Sequence, residues 1–81
     1  MNREEVLPRL QKIFDRAFVD PVKVRPELSA AEVPEWTSLA HISLVLAIQK
    51  EFSIRFRLGE VELATNIGDL CDLILKRARE G

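Results

Sequence analysis

The stretch "SLAHISLVLAIQKEF", from Ser38 to Phe52, constrains the fold more than any other part of the chain. Leu44, Ile48 and Phe52 fall four apart and share one face of a helix. Leu39, Ile42 and Leu46 make a second apolar line on another side. A helix with two such lines is either enclosed by neighbours or shows part of its apolar surface to a partner. Thr37 stands where an N-cap belongs, since its hydroxyl can accept a bond from an amide of the first turn. The spacing therefore predicts a helix over 38–52 that needs other helices to pack on.

The neighbours are visible on either side. Between Arg3 and Val19, the residues Val6, Leu7, Leu10, Ile13, Phe14, Ala17 and Phe18 recur at helical spacing. Pro8 is tolerated best within a first turn, which argues for a start later than Arg3. Asp20-Pro21 closes the segment, because a residue before proline disfavours helical geometry. From Pro21 to Thr37 there are three prolines and no sustained period, hence a long connection with one short turn near Ser29–Val33. Loops this long are uncommon in compact domains and often functional. After Phe52, the alternation Ile54-Arg55-Phe56-Arg57-Leu58 could pass for a strand. A lone strand has nothing to pair with, so an irregular link is expected. A short helix follows over Glu60–Leu63. The last helix begins near Asn66, with Asp69 placed as in a capping box. Its inner face is Ile67, Leu70, Cys71, Leu73, Ile74 and Ala78. The expected fold is all-α: a small antiparallel four-helix bundle of three longer helices and one short, with a long first loop. Residues 1–81 are expected to form a single domain.

Charge removes several functional classes. Twelve basic residues against 13 acids leave a net charge of −1, so nothing marks a nucleic-acid binder. The cluster "KRAR", Lys76–Arg79, suits the negative end of a helix. The apolar run Ile42–Ile48 is too short to span a bilayer, and the charged N-terminus does not resemble a signal peptide. One cysteine, Cys71, cannot form an internal disulfide, which fits a reducing cytoplasm. It lies in an apolar pattern and is expected as a buried small hydrophobe.

Few residues offer chemistry. No glycine-rich phosphate loop is present, and His41 and Cys71 are the only soft metal ligands, so no metal site is expected. Ser38 and His41 lie three apart, but a shared helical face does not aim an imidazole at a hydroxyl, and no nucleophile elbow surrounds Ser38. An enzyme is therefore not expected. Trp36 suits packing at a helix entrance, and His41 a partly exposed position or a contact for whatever meets Ser38. Ser38 itself is either part of a helix start or a hydroxyl presented for covalent modification.

Over nearly its whole length, and most strongly from Trp36 to Ile74, the chain resembles the acyl carrier protein family. That family carries Asp-Ser-Leu at the start of an apolar second helix; here it reads Thr37-Ser38-Leu39, then "AHISLVLAIQKEF". Ile54, Phe56, Glu60–Leu63 and "TNIGDLCDLI" continue the likeness without a gap. The resemblance implies that Ser38 carries 4′-phosphopantetheine through a phosphodiester. It implies a cytoplasmic, monomeric carrier that holds acyl groups as thioesters, in a specialised fatty-acid, lipid or secondary-metabolite pathway. A phosphopantetheinyl transferase would load it, and acyl-loading and acyl-accepting enzymes would contact Trp36, Thr37, Leu39, His41, Ile42 and Leu46. Thr37 in place of Asp removes a carboxylate that transferases meet in the family, and the second helix is less acidic than usual. Slower loading and a different set of partners are expected. The competing readings are an aminoacyl or peptidyl carrier, an unmodified helical interaction module that leaves Ser38 as a cap, and, more remotely, a small hydrolase.

Overall fold

The first turn of α1 (Arg3–Ala17) is held from outside the helix as much as from within it. Asn2 caps it, its side-chain oxygen accepting from the Glu5 amide at 3.1 Å. Arg3 reaches α3 and donates to the Asp72 carboxylate at 3.1 and 3.2 Å and to the Gly68 carbonyl at 3.3 Å. These contacts start the helix at Arg3, earlier than Pro8 suggested. Pro8 then lies inside it and deprives the Glu4 carbonyl of a donor, but both residues are exposed and water can serve instead.

The end of α1 also departs from expectation. The helix stops at Ala17 rather than running to Val19. The amides of Val19 and Asp20 donate instead to the two oxygens of Glu35, at 3.1 and 3.0 Å. Phe18 turns extended and its ring packs against Phe14 and Trp36. A carboxylate from the far end of the loop thus sets where the helix stops.

The computed structural model describes residues 1–57 and 59–80. Leu58, the last member of the apolar–charged alternation, lies outside the described residues, as does Gly81. Three helices carry the fold: α1, α2 (Ser38–Phe52) and α3 (Ile67–Glu80), with α1 packed against both others. No strand occurs among the described residues. The expected fourth helix over Glu60–Leu63 is a single 3-10 turn at Val61–Leu63, and the loop contains another at Ala30–Glu32. There is no length for more: Gly59 takes a left-handed φ of 85°, and Ala64 is already extended. One isolated turn cannot offset the cost of helix nucleation, so the surroundings must hold it. Glu60 does so, accepting from the Arg57 amide at 2.6 Å and pairing with the buried Arg77 of α3 at 2.8 Å.

The core forms where the three apolar faces meet. Val6, Leu10 and Phe14 of α1 are enclosed with Leu44 and Ile48 of α2 and with Ile67, Cys71 and Ile74 of α3. Leu28 and Val33 of the long loop close one side. That loop is fastened at several points. Gln11 donates to the Val22 carbonyl at 2.7 Å and accepts from the Val24 amide at 2.9 Å. The first amides of α3, from Ile67 and Gly68, donate to the Leu28 and Pro26 carbonyls at 2.9 and 2.8 Å.

Candidate functional site

The loop delivers its last residue, Thr37, extended (φ −83°, ψ 177°) to the start of α2. The Thr37 hydroxyl accepts from the Ala40 amide at 3.3 Å, and its carbonyl accepts from the His41 amide at 2.8 Å. Thr37 is thus the N-cap, as the sequence indicated, and Ser38 is left to the first helical position. There it is exposed. Neither its hydroxyl nor the amides of Ser38 and Leu39 have a protein partner among the described residues. At α3 the first two amides are already occupied by loop carbonyls, so α2 offers free donors where α3 does not. The first turn of α2 holds no acidic residue, and the positive end of its dipole is uncompensated. An anion attached at Ser38 would meet both free amides and a favourable field.

Trp36 and His41 frame this point from the core side. The indole Nε1 donates to His41 Nδ1 at 3.1 Å, and the two rings stack with centroids 6.2 Å apart. The bond keeps the neutral imidazole protonated on Nε2. Behind them, Trp36 meets Phe14 edge to face at 5.3 Å. Trp36 is therefore a packing residue at the helix entrance, half-buried like His41. No bond joins His41 to Ser38.

The second apolar line of α2 is the exposed one. Leu39, Ile42 and Leu46 are 78%, 56% and 61% exposed, whereas Leu44, Ile48 and Phe52 are 2%, 1% and 7% exposed. Of the six residues expected to meet partners, Thr37, Leu39, Ile42 and Leu46 form one accessible patch around Ser38, backed by Trp36 and His41. Two concavities border Leu46. One of about 330 Å³, between α2 and the link to α3, is lined by Ile42, Val45, Phe56 and Val61, with His41 at its edge. The other, about 810 Å³, lies beyond Gln49 and is lined by Lys50, Ile54, Arg55 and Arg77. The larger is farther from Ser38 and more charged; the smaller, beginning one turn past Ser38, suits an apolar occupant better.

Two residues that shape the site carried no sequence signal. Glu35 is the acid nearest Ser38 on its N-terminal side, but its carboxylate is committed to the amides of Val19 and Asp20. It cannot replace the acid that Thr37 lacks. Gln49 accepts from the Phe56 amide at 2.8 Å and so fixes the link that walls the smaller concavity. Both act on residues distant in sequence, where periodicity is silent.

Cys71 is fully buried, and that burial pushes its thiol up to about 11, the nearby Arg3 charge offsetting it only in part. Among the described residues no group of His, Cys, Asp and Glu could hold a metal ion. No helix there is long and apolar enough to cross a membrane.

No protein-family model matches the chain. It is 36% identical over 75 residues to an acyl carrier protein of Thermosynechococcus vestitus, covering 91% of this chain and 93% of that one. Its fold matches the solution structure of a holo acyl carrier protein from Geobacter metallireducens with a TM-score of 0.76. That match runs at 31% identity over 95% of this chain and 85% of the other.

Proposed function

Because the chain belongs to the acyl carrier protein family, whose members are carriers and not enzymes, we propose that Ser38 is the attachment point of a 4′-phosphopantetheine arm. The observation that carries this is the state of the α2 N-terminus: an exposed hydroxyl, two amides without a protein acceptor and no competing carboxylate. The residues present fit the group. Amides of Ser38 and Leu39 would receive its phosphodiester, and Thr37 would keep the helix capped without occupying them. When attached, the arm supplies a thiol on which an acyl group is held as a thioester.

The chain's own residues do the rest. Leu39, Ile42 and Leu46 give partner enzymes an apolar surface beside the attachment point. Ile42, Val45, Phe56 and Val61 line the space that would shelter a short apolar cargo. Trp36 and His41 hold the loop–helix junction in place, so that Ser38 is presented in one orientation. Residues 1–81 would work as one monomeric carrier domain, in the cytoplasm, with a phosphopantetheinyl transferase and with acyl-loading and acyl-accepting enzymes. A neutral Thr37 and an α2 poor in acids favour a specialised lipid or secondary-metabolite pathway over general fatty-acid synthesis.

Intact mass spectrometry after incubation with coenzyme A and a transferase tests this. Wild type gains one phosphopantetheinyl group and Ser38→Ala gains none, while its melting point barely moves, because Thr37 and not Ser38 caps the helix. Thr37→Asp loads faster with a transferase adapted to acidic carriers, since a carboxylate there makes charge-assisted bonds to it. Loading that persists in Ser38→Ala would refute the assignment. A wild type that is never loaded would favour an unmodified interaction module.

A further inference from the structure

Net charge near neutrality conceals an uneven distribution. The one carboxylate of α2, Glu51, is drawn towards α1: Arg9 donates to it at 2.8 Å and to its carbonyl at 2.7 Å. No acid lies on α2 between Ser38 and Leu46, where the apolar strip is exposed. Directly past the strip come Lys50, Arg55 and Arg57, all exposed and none in an ion pair among the described residues. They flank Leu46 on both sides. Lys50 and Arg55 line the larger concavity, which has no carboxylate among its described lining residues, and Arg57 lines the smaller one. The acids nearby do little to neutralise them. Glu60 is held by Arg77 and by the Arg57 amide, which leaves Glu62 as the one free carboxylate at the rim among the described residues.

We propose that the strip Leu39–Ile42–Leu46 docks a partner protein whose apolar contact is flanked by carboxylates, which meet Lys50, Arg55 and Arg57. This rests on the carrier reading and concerns the same site. At 1.5 Å per residue, Lys50 lies about 18 Å along α2 from Ser38. A standard interface covers about 800 Å² on each partner, a patch on the order of 30 Å across. One partner centred on Leu46 therefore reaches both the attachment serine and the cations. Opposite charge at the rim steers association, and a basic partner is disfavoured by like-charge repulsion. A lipid surface fits less well. The apolar strip is a single file of three side chains along α2, and a partner must reach Ser38 at its end.

The test pairs two transferases with three carriers. The first transferase has a basic docking surface; the second is the same enzyme with those basic residues replaced by Glu. The carriers are wild type, the charge-reversed triple variant (Lys50→Glu, Arg55→Glu, Arg57→Glu) and a neutral triple variant with Gln at the same positions. None of the three side chains forms a hydrogen bond or ion pair among the described residues, and the neutral variant guards against charge-induced misfolding. Loading is followed by intact mass at low and high salt. The basic transferase loads the charge-reversed carrier about 10-fold faster than wild type at low salt, the acidic transferase shows the opposite order, and both differences shrink at high salt. The neutral variant falls between. Normal loading at equal rates in every pairing overturns the docking proposal and leaves the carrier reading intact. Equal rates together with charge-dependent sedimentation on phosphatidylglycerol vesicles would assign the cations to a lipid surface and also overturn it. Absence of loading in all pairings overturns both readings.

Discussion

At Cys71 the relevant quantity is the difference between folded and unfolded thiol. In the fold it ionises only towards about 11, because burial disfavours the thiolate; in the unfolded chain the usual value is about 8.5. A raised value stabilises the fold below the unfolded value, and this contribution is lost as pH climbs from about 8.5 to about 11. Reagents attack thiolate, so iodoacetamide at pH 9 should leave Cys71 of the native, unloaded protein intact and alkylate it in denaturant. Mass spectrometry distinguishes the two, and native alkylation at the denatured rate would contradict the burial. Labelling of the loaded protein would then report the arm's thiol alone. At Ser38 the decisive residue is its neighbour: with Thr37 as the cap, the serine hydroxyl is dispensable to the helix and free for chemistry.

The two apolar lines of α2 have different tasks, and substitution should separate them. Phe52 is buried against α1 and carries the Arg9 guanidinium 4.3 Å above its ring, so Phe52→Ala should cost about 3–5 kcal/mol. Leu46→Asp, on the exposed line, should leave the thermal melt nearly unchanged and impair acyl handover. A Leu46 variant that unfolds, beside a Phe52 variant that does not, would reverse the assignment of faces. The limits of α2 were legible because Thr37 and the apolar spacing that ends at Phe52 are both local. The end of α1 was not, since it depends on Glu35 sixteen residues after Val19. The short fourth helix is present only in part, as one 3-10 turn, for the opposite reason. Glu60–Leu63 has suitable composition, but the chain between Gly59 and the cap of α3 has no room for a second turn. Ser38 and the exposed strip were readable from pattern and resemblance; the cationic rim was not, because Lys50, Arg55 and Arg57 belong to different elements that only the fold brings beside Leu46.

Across the whole molecule, the long loop and α3 are joined where the two helices α1 and α3 also meet. Gly68 is packed closely within that junction. A methyl group there would come within 3.3 Å of Arg3 Nη2, Asn66 Oδ1 and the Pro26 carbonyl, which itself accepts the Gly68 amide. Glycine to alanine in a helix ordinarily stabilises by about 1 kcal/mol. Gly68→Ala should instead destabilise by about 1 kcal/mol or more, because backbone must shift to admit the methyl. Denaturant unfolding measures it, and a gain in stability would mean that the loop yields easily at Pro26. Trp36 gives the assembled molecule a different kind of property. The chain has one tryptophan and no tyrosine, and that indole stands two residues before Ser38 with His41 stacked on it. Its fluorescence comes from a single emitter placed beside the proposed attachment serine, so the optical signal of the whole protein is a local signal from the place where an arm would be added.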